Sequence, residues 1–287
     1  MSLPRLAALV IALAMLSGAP LAHAQLLLST NDNKVALVNG VATVVKSPPP
    51  DTLTVIDIKS WPPKVVAELD VPGSVVGPPF SVALAPDESI ALVTANEKLD
   101  PADPTKRIAN NTMSVVDLNA TPPKIIATLE TGKNPAGVSI NRAGTLALVA
   151  NRGEGTVSVY TIQGKAVTPA GKVTIADEKS GTSHAAIAPD GKLALVTRDG
   201  DDRISVLSID GTRVEYTKRD ISAGLRPYGI DIAGSGAFAA VANIGRGGTD
   251  LARVGEAAIG HWSQGAAFSP DGKHVFVGNM AEKDIQV

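Results

Sequence analysis

The 287-residue chain has no cysteine. That excludes disulfides, thiolate metal sites, thioether-linked haem and a lipidated cysteine anchor together. Aromatic residues are also scarce, at 3%, while hydrophobic residues reach 44%, so Val, Ala, Leu and Ile must fill the core. Neither sign of charge dominates: the formal net charge is −2 and the pI about 6.1. Global charge therefore argues against nucleic acid or an anionic membrane surface as a partner. No G-x-S-x-G, H-E-x-x-H or paired-carboxylate motif is present. The glycines of Ile244-Gly-Arg-Gly-Gly248 are followed by no Lys-Ser/Thr pair, so they are no phosphate loop. Asp199-Gly-Asp-Asp202 looks like a fragment of a calcium loop but lacks the glycine and distal glutamate spacing, and is expected to be a solvated turn. No cofactor and no metal is expected.

Residues 1–24 read as a signal peptide. Arg5 and the α-amine supply positive charge, Leu6–Leu16 is apolar, and Ala22-His23-Ala24 places small residues before Gln25. Gly18 and Pro20 interrupt the apolar run, which falls short of the ~20 residues of a membrane span. The expectation is cleavage after Ala24, a periplasmic or secreted protein with no membrane span after cleavage, and one domain over residues 25–287.

What the chain does have is a repeat. Asn134 to Ile162, NPAGVSINRAGTLALVANRGEGTVSVYTI, holds three short stretches rich in β-branched and small residues, separated by Arg142-Ala-Gly144 and Asn151-Arg-Gly-Glu-Gly155. The first turn recurs as Ala85-Pro-Asp-Glu88, Ala188-Pro-Asp-Gly191, Ala233-Gly-Ser-Gly236 and Ser269-Pro-Asp-Gly272. From residue 86 the marks step by 56, 47, 45 and 36 residues. Such a period, with strands of four to seven residues and no amphipathic helix, predicts an all-β fold: a β-propeller of four-stranded antiparallel blades. Ile56-Asp-Ile-Lys-Ser-Trp-Pro-Pro-Lys64 returns as Val116-Asp-Leu-Asn-Ala-Thr-Pro-Pro-Lys124, a second sign of the repeat. Val35–Val38 and Val41–Val45 flank Asn39-Gly40, a hairpin signal. Glu97–Asn111, polar and proline-containing, is expected to be a surface loop. About six blades are present. The first starts at its second strand, little room lies between Asn243 and Gly265, and the last stops at its third strand. The architecture is that of an incomplete seven-bladed propeller, or of a six-bladed ring closed differently.

The strand-Asn-turn-TVSVY pattern, followed by P-x-G-V and a P-D-G turn, resembles the YVTN-repeat β-propeller family. That family shares a superfamily with lactonase-like propellers and the amine-dehydrogenase heavy chain. The resemblance implies the fold across residues 26–287 and says little about function, because its motif residues belong to turns and strands.

With strands lettered A to D from the inside out, A–B turns share one face and B–C and D–A loops the other. Pro86, Pro189 and Pro270 are turn residues of the first face, and His274 is expected to be a surface residue. The second face is the default site, since ligands settle at the funnel mouth of such rings. It should carry His184, Arg226, Tyr228, His261, Trp262 and Gln264 on D–A loops, and Arg152, Glu154, Arg198, Asp199 and Arg246 on B–C loops. Arg152, Arg198, Arg226 and Arg246 suit bidentate capture of a carboxylate or phosphate, with Tyr228, Trp262 and Gln264 around them. The opposite reading pairs these arginines with neighbouring Asp and Glu on a solvated rim. His184 and His261 are the candidate general bases. Three functions follow: a binding or interaction scaffold taking an anionic small molecule or a protein partner at the funnel face; and, by the resemblance, a lactonase-like hydrolase of a sugar lactone or a redox-partner propeller.

Overall fold

The computed structural model describes residues 25–38, 41–59, 61–74, 80–245, 263–269, 272–279 and 284–286. Among the described residues there is no helix, and six antiparallel sheets follow one another, with a two-stranded hairpin as a seventh. Sheet I holds β1 (Leu26–Asn31), β4 (Thr52–Asp57) and β5 (Lys64–Asp70). Between its first two strands lies a separate hairpin, β2 (Val35–Val38) and β3 (Val41–Val44), paired as the Asn-Gly signal predicts. Sheet II is β6 (Val82–Leu84), β7 (Ile90–Leu99), β8 (Arg107–Asp117) and β9 (Lys124–Glu130). Sheet III is β10 (Pro135–Ile140), β11 (Leu146–Asn151), β12 (Thr156–Gln163) and β13 (Ala166–Thr174). Sheet IV is β14 (Thr182–Ile187), β15 (Leu193–Arg198), β16 (Arg203–Asp210) and β17 (Arg213–Ser222). Sheet V shows β18 (Pro227–Ile232) and β19 (Ala239–Asn243), and sheet VI β20 (Ser263–Phe268), β21 (Val275–Asn279) and β22 (Asp284–Gln286). The inner strands of consecutive sheets pack side by side, β6 on β10, β10 on β14, β14 on β18 and β18 on β20. This is an incomplete β-propeller.

The core lies between blades, because sheets II, III and IV are apolar on both faces. Along β11, Leu146 and Leu148 point toward sheet IV and pack with Ala185, Val196 and Leu207. The alternate residues Ala147 and Val149 point the other way, onto Ile90, Leu92 and Met113 of sheet II. The period of two thus splits one strand between two cores. Tyr160, almost fully buried, fills the second core and donates its hydroxyl to the Glu130 carbonyl at 2.6 Å. Burial pushes that phenol up to about 12.

The Glu97–Asn111 segment is a loop only over residues 100–106; its flanks are strand. Glu97, Lys98 and Leu99 pair with Ala109, Ile108 and Arg107, extending the β7–β8 hairpin past a bulge at Ala95/Glu97. An Arg107–Glu97 ion pair of 2.6 Å braces it. Beyond the neighbouring blades a hairpin has no core to face, so its residues need not be apolar; the polarity that reads as a loop reflects solvent on both sides.

Repeat geometry positions the site. Val149, Val196, Val241 and Val277 pair with Val138, Ala185, Ile230 and Ala266 on the inner strands. Just before each partner the inner strand bulges, at Pro135/Val138, Thr182/His184, Pro227/Ile230 and Ser263/Gly265. In sheets III and V the residue before that partner, Gly137 or Gly229, lies unpaired in the bulge, whereas in sheets IV and VI His184 and Gly265 sit just past it, paired with Thr197 and Gly278.

Candidate functional site

His184 is a strand residue, not part of the preceding D–A loop. Its ring lies 4.2 Å from that of Phe80 and nearly parallel to it. It fits because its neighbour is glycine: a Cβ on Gly137 would come within 2.4 Å of His184 Cδ2. The residue is 4% exposed, and neither ring nitrogen meets a hydrogen-bond partner. Burial lowers its pKa to about 4; the polar backbone of Ile230 opposes that shift without completing a bond. The ring is a neutral imidazole at pH 7. Its enclosure leaves no approach for a substrate, whatever its basicity.

The strand-B ends set the rest. Asn31 donates to the Thr52 and Thr54 hydroxyls, both at 3.0 Å. Asn151 donates to Thr156 and Ser158 at 3.0 and 2.9 Å. Arg198 occupies the same register position in sheet IV, pairing with Arg203 as Asn151 pairs with Thr156. It performs the same task, reaching Ser205 Oγ at 2.9 Å. Its guanidinium is then closed off by Asp220 at 3.0 Å and by a two-pronged contact with Asp201. Burial alone would lower the Arg198 pKa, but Asp201 and Asp220 raise it. Asp220 is held below the usual carboxylate range, because bonds from Tyr216 and Ser205 and the Arg198 charge outweigh its burial.

One residue further along lies the cluster that the expected site contains. Arg152 follows Asn151 and Asp199 follows Arg198, so they are equivalent positions on adjacent blades carrying opposite charge. They meet at 2.6 Å. Asp199 is buried, contrary to the solvated turn expected for it, and its second oxygen receives Arg226 Nη2 at 3.3 Å. Ser183 Oγ stands 2.8 Å from the first oxygen and also contacts Arg152. The Arg152 guanidinium lies 5.5 Å over the Tyr228 ring, which comes from the bulge of β18 and is buried. Arg226 is held from behind, its N–H donating to Asp202 at 2.7 Å, and its side chain stays 58% exposed. Glu154 turns away from Arg152 toward Lys172, 2.9 Å away, and the Lys133 N–H.

The structure therefore brings Arg152, Arg226 and Tyr228 together and places Arg198 among its own partners. Gln264 falls on β20, and Arg246, His261 and Trp262 lie outside the described residues. His274 is exposed. Asp199 was expected on this face, but as part of a solvated turn and not as the shared acid, and the matching repeat positions of Arg152 and Asp199 were the signal for that role; Ser183 was not expected at all. Among the described residues no group of His, Asp and Glu is arranged to hold a metal ion.

The family model described as Choice-of-anchor I domain matches residues 34–242. No curated protein matches the chain. Among solved structures, a putative 6-phosphogluconolactonase from Bacteroides fragilis is similar at 14% identity and TM-score 0.63, over 82% of this chain and 72% of its own. A functionally unknown protein from Desulfotomaculum acetoxidans is similar at 17% identity and TM-score 0.61, over 82% and 74%. The periplasmic gluconolactonase of Pseudomonas aeruginosa is similar at 15% identity and TM-score 0.54, over 92% and 66%. At such identities the likeness is one of fold.

Proposed function

Because the chain belongs to the choice-of-anchor I domain family, we propose that it works outside the cytoplasm as a binding scaffold that captures a carboxylate- or phosphate-bearing small molecule at its funnel mouth. The observation that carries this reading is the sharing of one buried carboxylate, Asp199, by two guanidinium groups, Arg152 over the Tyr228 ring and Arg226 largely exposed. An incoming anion would take the open side of Arg226 while Asp199 holds both arginines in place, a preorganised arrangement. The signal-like segment before Gln25 and the periplasmic fold neighbour support export.

Calorimetric titration with D-gluconate and with inorganic phosphate tests this. Binding that weakens with salt, and that Arg226→Ala weakens by about 1.5–3 kcal/mol, is the expected result. Equal affinity in wild type and Arg226→Ala would refute it. The lactonase-like alternative draws on the fold of the gluconolactonase neighbours. Base-consumption assays on glucono-δ-lactone separate it from the scaffold reading, which expects no rate above the uncatalysed one.

A further inference from the structure

The turns between strands A and B repeat one hydrogen bond: the fourth residue donates its N–H to the carbonyl of the first. Gly144, Gly191, Gly236 and Gly272 do so at 2.7–2.9 Å, with φ between 68° and 72°. Sheet II makes the same bond at 2.8 Å and the same turn with Glu88, at φ 58°. An L side chain resists this left-handed conformation, and four of five turns avoid one. Glu88 needs a reason to be there.

Its carboxylate supplies one. Oε1 accepts the Gln25 N–H at 2.6 Å and the Leu26 N–H at 3.2 Å, binding the start of β1 in sheet I to a turn of sheet II. Gln25 is the residue that cleavage after Ala24 would expose. The other carboxylates there are engaged elsewhere: Asp87 takes the Ser89 N–H and hydroxyl at 3.1 and 2.7 Å, and Asp57, opposite Leu26 on β4, takes the Lys59 N–H at 2.8 Å.

We infer that Glu88 is the receptor for the N-terminus of the processed protein: cleavage after Ala24 turns the Gln25 amide N–H into an α-ammonium that Glu88 captures as an ion pair. The inference rests on the export reading above. It has a chemical consequence. A free N-terminal glutamine cyclises when its neutral amine attacks its own side-chain Cδ; the N–Cδ bond forms, the Cδ–amide bond breaks, and ammonia leaves. A protonated amine has no lone pair for that attack. By favouring the ammonium, Glu88 keeps Gln25 open; one unit of pKa elevation lowers the reactive fraction about tenfold. Processing then locks the leading edge of the ring and guards the group that locks it.

The test begins with intact mass of the protein exported from the full precursor. It should start at Gln25 with the glutamine uncyclised, and a different first residue overturns the processing step. Protease-released proteins beginning at Gln25 or at Ala24 then separate docking from processing, each compared with Glu88→Gln. Glu88→Gln should lower the melting temperature of the Gln25 form more than that of the Ala24 form. That excess should fade as pH rises past the ordinary α-amine range near ~8. It should also speed pyroglutamate formation about tenfold. Glu88→Gly, which relieves the backbone but removes the same carboxylate, should destabilise the Gln25 form more than the Ala24 form. Equal responses of the two forms, or an unchanged cyclisation rate, overturn the docking.

Discussion

Arg198 and Arg226 stand on the same face of neighbouring blades, and the structure treats them oppositely. Arg198 ends a strand and reaches back along its own sheet, where two carboxylates and a serine hydroxyl leave its side chain 8% exposed. Arg226 comes from a loop, shares one carboxylate with Arg152 and is more than half exposed. Two acids surround one base in the first place; two bases share one buried acid in the second. Guanidinium groups on a funnel face are therefore not equivalent. The repeat register sorts them, because Arg198 stands where other blades keep a structural Asn, and Arg152 and Asp199 stand one residue beyond it.

Removing parts of each region should break or sharpen this contrast between a closed interior and an open mouth. The largest effect belongs to the closed side and to acid. His184 is neutral in the fold with a pKa of about 4 against an ordinary 6.5, so the unfolded chain takes up the proton first as pH falls. The stability tied to that residue is complete above about pH 6.5 and lost between 6.5 and 4, roughly 3 kcal/mol in all. Denaturant melts across that range should show the loss. His184→Phe, which keeps the stack on Phe80, should remove this part of the slope; an unchanged slope would contradict the enclosure of the ring.

Arg198→Ala follows, at about 2–3 kcal/mol of unfolding free energy. That lies just below the cost of breaking a fully buried pair, because Asp201 and Asp220 keep some water. Urea titration measures it, and anion affinity in the surviving folded protein should be unchanged. Asp199→Asn comes next, at roughly 1–2 kcal/mol, since it leaves Arg152 and Arg226 facing each other without a countercharge. The smallest stability effect is that of Arg226→Ala, within about 0.5 kcal/mol, as for an exposed pair. The same variant should show the weakening of anion binding expected at the open side, about 1.5–3 kcal/mol, that of a charged hydrogen bond. If Arg226→Ala destabilised as much as Arg198→Ala, the contrast would fail.

Much of the fold was legible because a repeat reports itself many times. The A–B turns, the strand-B asparagines and the twin Ile56–Lys64 and Val116–Lys124 segments each mark the same period, and the Asn39-Gly40 hairpin forms where its signal lies. The candidate site was legible only as a face. His184 and Tyr228 look like loop residues in sequence because the bulge that shifts them into a strand carries no composition of its own. Nor does composition tell a buried Asp199 from a solvated one; that depends on Arg152 arriving from the adjacent blade, a contact across 47 positions of sequence. A polar tract such as Glu97–Arg107 misleads for the converse reason: exposed strands and exposed loops draw on the same residues.

The split of β11 between two cores gives every blade a sense of direction. Leu146 and Leu148 serve only the following blade, Ala147 and Val149 only the preceding one, so a blade has a socket on one side and a plug on the other. Such couplings are heterologous: a blade fits its successor but not a copy turned over against it. A gene duplication that repeats one blade in tandem presents matching surfaces at both new joints, whereas an inversion or exchange must rebuild two cores at once. The chain can lengthen by whole blades far more readily than it can rearrange them, and the order of its repeats is held by the alternation of side chains along strands such as β11 and β15, six residues each.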